Sequence, residues 1–95
     1  MAKVLNSNEI NEGLNKINGW SLDSNCIGKE FMFNDFKSAL NFVNKVALIA
    51  EKMDHHPDIF LHSWNKVKIT ISTHSANGIT ENDFILANKI EELNI

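Results

Sequence analysis

Residues 34–53, NDFKSALNFVNKVALIAEKM, decide the fold. Apolar side chains return every three or four positions, the period of an α-helix. Phe36, Ala39, Leu40, Val43, Ala47 and Ala50 make one stripe, and Phe42, Val46, Ile49 and Met53 make a second beside it. A helix apolar over so wide an arc packs on two partners. One is its own sheet; the other is a further helix or a second subunit. Asn34 or Asp35 offers an acceptor to the free N–H groups of the first turn. Pro57 disfavours helical geometry at His56, so the helix should end near Asp54 or His55.

Working outward, each side of this helix reads as a strand pair followed or preceded by a shorter helix. Upstream, Ser7 can cap a helix to about Lys16, with Ile10, Leu14 and Ile17 apolar, and Gly19 placed to end it. Trp20-Ser21-Leu22 reads as a strand, Asp23-Ser24-Asn25 as a turn, and Cys26 to Phe33 as a second strand with Ile27, Phe31 and Phe33 on one face. Downstream, Asp58 to about His62 is a short extended segment. Val67, Ile69 and Ile71 then alternate with Lys66, Lys68, Thr70 and Ser72, the pattern of a half-buried strand. Asn77-Gly78 marks a turn, and Thr80 caps a last helix to about Leu93, with Phe84, Ala87 and Ile90 inward. The order α-β-β-α-β-β-α predicts an α+β fold: a four-stranded antiparallel sheet with three helices packed on one face.

The 95 residues fit one domain, 1–95. An apolar share of 43% against 22% charged suits a soluble globular chain. A net charge of −3 with no basic face disfavours direct nucleic-acid binding. No window approaches the ~20 apolar residues of a membrane span. The start has no secretory pattern, and Cys26 has no partner for an internal disulfide. A cytoplasmic location is the expectation.

Three of the four histidines stand in two places, Glu51-Lys52-Met53-Asp54-His55-His56-Pro57 and Ser72-Thr73-His74. Imidazole titrates near neutrality, so such clustering points to proton transfer or to metal binding. Adjacent histidines share no face of a helix or strand, which makes a poor metal signature. At an irregular helix-to-strand junction both rings can line one cleft; equally, the segment reads as a polar connection with incidental histidines. His74 has the parity of Lys68 and Ser72, a solvated strand face, unless its strand ends beside the long helix. Asp83, three residues after Thr80, fits a helix-capping carboxylate, and also one that orients a histidine. Glu51 lies one helical turn before His55, so the two should share a face. Trp20, Phe60 and Trp64 read as core or rim, and His62 as exposed. No nucleophile elbow, Gly-rich phosphate loop, paired cysteines or HExxH is present.

Taken with Trp64, Asn65-Lys66-Val67, Gly78-Ile79-Thr80-Glu81 and Asp83, the Glu51-x3-His55-His56-Pro57 and Ser72-Thr73-His74 segments resemble the pterin-4a-carbinolamine dehydratase family. Gly19-Trp20 and the Phe36-to-Met53 helix resemble that family's first half, so the likeness spans nearly the whole chain. It departs at Ile59, where many members carry an aromatic residue, and Asp58 to Ser63 looks one residue longer than in the animal form. The resemblance implies loss of water from 4a-hydroxytetrahydropterin to give quinonoid dihydropterin, with no metal and no cofactor. It implies His55, His56 and His74 as the acid/base set in the pterin site, and Glu51, Asp54, Pro57, Ser72, Thr73 and Asp83 as residues that bind or orient. It also implies a homodimer or homotetramer, with an aromatic amino-acid hydroxylase as the metabolic client. Two alternatives stay open. One is a non-enzymatic dimerisation or coactivator module acting through helix surfaces. The other is a metal-dependent hydrolase using His55, His56, His74 and Asp83.

Overall fold

The computed structural model describes residues 3–93. Its central helix, α2, spans Phe36–Met53. Asp35 caps it, its Oδ1 accepting the Ser38 N–H at 2.8 Å. At the other end Asp54 turns left-handed, with φ 51°, a region that Asp tolerates. The remaining elements are α1 (Ser7–Asn15), β1 (Ser21–Asp23), β2 (Cys26–Met32), β3 (Asp58–His62), β4 (Lys66–Ile71) and α3 (Glu81–Glu91). The order is the expected α-β-β-α-β-β-α.

The four strands form one antiparallel sheet in the order β1-β2-β4-β3. Two hairpins are joined through their second strands, β2 against β4. Their register places Ile27 opposite Ile71, Lys29 opposite Ile69 and Phe31 opposite Val67. β3 adds Ile59 opposite Ile69 and Leu61 opposite Val67. These residues face the helices, and Ile27, Val67, Ile69 and Ile71 are fully buried. Phe42 of α2 seats against them, with ring centroids 4.7 Å from Phe31 and 5.0 Å from Phe33. The same alternation turns Lys29 inward, where its Nζ meets Glu91 at 2.7 Å and the Asn18 carbonyl at 2.8 Å. Glu91 also accepts the Trp20 indole N–H at 2.9 Å, which ties α3 to the chain entering β1.

Several local expectations are corrected. Asn6, not Ser7, caps α1, because only Asn6 has a glutamate three residues on; Glu9 returns the bond in a capping box. The chain leaves α1 at Lys16, and Gly19 serves the later turn into β1 at φ 87°. On α2 the buried residues are Ala39, Phe42, Val46 and Ala50. Phe36, Leu40 and Leu48 stay largely exposed, so the two stripes divide differently from the sequence reading. Phe60 is 61% exposed because it pairs with Lys68 on the sheet face away from the helices. Trp64, also exposed, sits with Ser63 and Asn65 in the three-residue turn between β3 and β4, where Ser63 and Trp64 have positive φ. His62 is better partnered than expected: its Nε2 meets Glu30 at 2.6 Å and its ring stacks on Phe60. Among the described residues no helix is long and apolar enough to cross a membrane.

Candidate functional site

The site forms where α2 stops. The left-handed Asp54 swings the chain out of the helix, and His55 N–H closes the end on the Ala50 carbonyl at 3.0 Å. From this junction the two adjacent rings part. His55 turns inward, its Nε2 lying 2.5 Å from Asp83 Oδ1. His56 turns outward, its Nε2 lying 2.5 Å from Glu51 Oε2. Glu51 therefore pairs with His56, not with His55 one turn above it, because Asp54 breaks the helical spacing that would align them. The two pairs differ in solvent access. Asp83 is fully buried behind His55, whereas the Glu51 and His56 side chains are 74% and 57% exposed.

The opposite wall comes from the end of β4. Ser72 and Thr73 continue past the strand, and Thr73 forms a β-bridge with Gly78, its N–H reaching the Gly78 carbonyl at 2.9 Å. Between them the chain makes a short 3-10 turn, His74–Ala76, closed by left-handed Asn77. This tight loop holds His74 and Ser75 at the rim, both exposed.

Behind the cleft, Thr80 and Asp83 of α3 form a capping box. Asp83 Oδ2 accepts the Thr80 N–H at 2.8 Å and the Thr73 hydroxyl at 2.9 Å. The Thr73 and Thr80 hydroxyl oxygens lie 2.8 Å apart. One Asp83 oxygen caps the helix and the other meets the His55 ring.

Asp54, His55, His56, Pro57, Asp58, Ser72, Thr73, His74 and Ser75 line one cleft of about 390 Å³. A cavity of this volume is within the range of small-molecule sites. The chain thus brings the tandem histidines and His74 together, with Asp54, Pro57, Ser72 and Thr73 around them. Glu51 and Asp83 stand outside the lining, each behind one imidazole. Of the lining residues, Asp58 and Ser75 were missed by sequence reasoning. Asp58 and Ser75 each adjoin a residue already singled out, a signal that was available. Two other grooves lie between α1 and α3 and between the ends of α2 and α3, and no histidine lines either. Among the described residues no group of three or more His, Cys, Asp or Glu side chains is arranged to hold a metal ion.

The lining contains no lysine, and the chain contains no arginine. Imidazoles, hydroxyls and carboxylates in this arrangement suit proton transfer on a polar, uncharged guest better than the clamping of a phosphate.

The family model for pterin 4 alpha carbinolamine dehydratase matches residues 3–93. A provisionally named pterin-4-alpha-carbinolamine dehydratase of Sulfurisphaera tokodaii is 54% identical over 91 residues, covering 96% of this chain and 97% of that one. A protein of Roseiflexus castenholzii with the same provisional name is 46% identical over 93 residues, covering 98% and 99%. A Brucella melitensis crystal structure, described as a transcriptional coactivator/pterin dehydratase, superposes with a TM-score of 0.90 at 41% identity, covering 96% and 98%. A pterin dehydratase-like protein identified as a RuBisCO assembly factor in the alpha-carboxysome shares the fold, with a TM-score of 0.67 at 20% identity over 79% of this chain and 88% of that one.

Proposed function

This chain belongs to the pterin 4 alpha carbinolamine dehydratase family, and from that membership we propose that it removes water from 4a-hydroxytetrahydropterin, giving quinonoid dihydropterin. The observation that carries the reading is the convergence of His55, His56 and His74 on one cleft of about 390 Å³.

The reaction needs two proton transfers and no covalent intermediate. The N5 lone pair forms the C4a–N5 double bond as the C4a–O bond breaks. The hydroxyl takes a proton from an acid and leaves as water. The N5–H proton passes to a base, so the atoms balance as substrate minus water. A positioned acid or base contributes roughly 10²–10⁴-fold. His55 or His74 donates to the departing hydroxyl, and His56 binds the pterin and takes the N5 proton. Asp83 orients His55 and faces the charge of its imidazolium; Glu51 orients His56. Asp54, Pro57, Ser72 and Thr73 shape the cleft. In the cell this is tetrahydropterin recycling in the cytoplasm, with an aromatic amino-acid hydroxylase as client. The exposed Phe36, Leu40 and Leu48 of α2 support assembly into a homodimer or homotetramer.

The test follows 4a-hydroxytetrahydropterin decay with purified protein and with His55→Ala, His56→Ala and His74→Ala. Wild type should accelerate the decay, and at least two of the three variants should lose most of that acceleration. Near-native rates in all three would reject the assignment. A second reading, a non-enzymatic coactivator or assembly module, draws on the same exposed α2 face and on the name of the Brucella relative. A folded wild-type protein with no dehydratase activity would favour it.

A further inference from the structure

The hydroxyls behind the cleft have a determined direction. Asp83 Oδ2 stands as an acceptor, taking the Thr80 N–H at 2.8 Å. Thr73, 2.9 Å from Oδ2, must therefore donate its only proton to Asp83. Thr73 Oγ1 also lies 2.8 Å from Thr80 Oγ1. With its own proton committed, Thr73 accepts there and Thr80 donates. The Asp83 backbone N–H goes to the Thr80 carbonyl at 3.1 Å and leaves this order unchanged. The relay runs one way: Thr80 to Thr73, Thr73 to Asp83.

This direction reaches His55. Oδ1 of Asp83 is an acceptor, so the ring nitrogen 2.5 Å away, Nε2, carries a proton. The other nitrogen, Nδ1, has no hydrogen-bond partner among the described residues, yet no buried side-chain nitrogen or oxygen there is unpartnered. Nδ1 is therefore open to the cleft that His55 lines. Thr73 borders the same cleft but is 6% exposed, with its hydroxyl taken on both sides.

We propose that Thr73, with Thr80 behind it, is a positioning residue: its hydroxyl holds Asp83 so that His55 keeps its Nε2 proton and presents Nδ1 to the guest as the atom that gains and gives up the transferred proton. Thr73 thus acts through Asp83 and His55 and makes no hydrogen bond to substrate. The inference rests on the dehydratase reading for its kinetic consequence alone; the tautomer follows from the fold.

The experiment records side-chain ¹⁵N–¹H correlation spectra of uniformly labelled wild type, Thr73→Val and Thr73→Ser, alongside carbinolamine decay. Neutral His55 should show the Nε2–H pattern in wild type and Thr73→Ser. Thr73→Val should show a tautomer mixture and lose roughly tenfold or more in rate, while Thr73→Ser stays within about twofold, as for other residues that orient a reacting group from behind. An Nδ1–H pattern in wild type would overturn the proposal. So would a wild-type spectrum or a wild-type rate in Thr73→Val, or a Thr73→Ser that behaves like Thr73→Val. Should Thr73→Val fail to fold, the wild-type spectrum and Thr73→Ser still decide. Absence of any dehydratase rate would remove the proposed function and leave the spectra to judge the tautomer.

Discussion

Replacing Asp83 by Asn keeps the shape of the buried group and removes its charge. Asp83 accepts from Thr80 N–H, Thr73 Oγ1 and His55 Nε2 at 2.8, 2.9 and 2.5 Å. Hydrogen bonds to charged groups contribute roughly 1.5–3 kcal/mol and neutral ones roughly 0.5–1.5 kcal/mol. If the amide oxygen stays on Thr80 and Thr73, each bond loses about 1–1.5 kcal/mol, or about 2–3 kcal/mol together. For a domain of this size that is a fall of roughly 10–20 °C in Tm. The fold survives, because domains of this kind hold about 5–15 kcal/mol. The amide then turns its NH₂ toward His55 Nε2, and a donor there demands the opposite tautomer. Stopped-flow decay of 4a-hydroxytetrahydropterin should slow on the order of 10²–10⁴-fold, the range for losing a positioned acid or base. A folded Asp83→Asn protein within about threefold of the wild-type rate would refute the role given to this carboxylate.

Glu51→Gln should move Tm little, since exposed ion pairs contribute about 0–1 kcal/mol, and slow the decay by less than about tenfold, far less than Asp83→Asn. Gly13→Ala places a Cβ within 2.6–2.9 Å of the Phe84 ring, so thermal melts should show a loss of about 1–2 kcal/mol despite the gain in helix propensity. Asp35 is held below the usual carboxylate range by its backbone hydrogen bond from Ser38. A lowered folded value means its stabilisation is complete above pH about 4 and fades as pH falls through that value. The difference in urea stability between wild type and Asp35→Ala should therefore be full at pH 7 and shrink in acid; a difference that grew in acid would reverse the argument.

What the sequence disclosed was chiefly local or periodic. The alternation around Val67, Ile69 and Ile71 names the buried face of β4, and the stripes of α2 with Pro57 behind them give that helix and its end. The capping relation of Thr80 and Asp83 lies within one turn and was equally legible. Asn6 was legible too, through Glu9 three residues on, but Ser7 offered a competing cap. Phe60 shares its parity with Asp58 and His62, which points it to the open face; hydrophobicity argued the other way and was misleading. The contacts across 28 residues, His55 to Asp83, and across 32, His62 to Glu30, depend on which strands lie side by side. No pattern within β2, β3 or β4 states that β4 lies between the other two. The exchange of partners at Glu51 was hidden for another reason: one left-handed residue, Asp54, resets the facing of everything after it.

The most direct measurement is a crystal structure of this protein with 7,8-dihydrobiopterin bound. The account predicts the bicycle in the cleft between Asp54–Asp58 and Ser72–Ser75, with its C4a–N5 edge toward the His55, His56 and His74 rings and Nδ1 of His55 on the ligand side. A pterin seated in either of the other grooves, or one in this cleft with its reacting edge turned away from all three imidazoles, would contradict it.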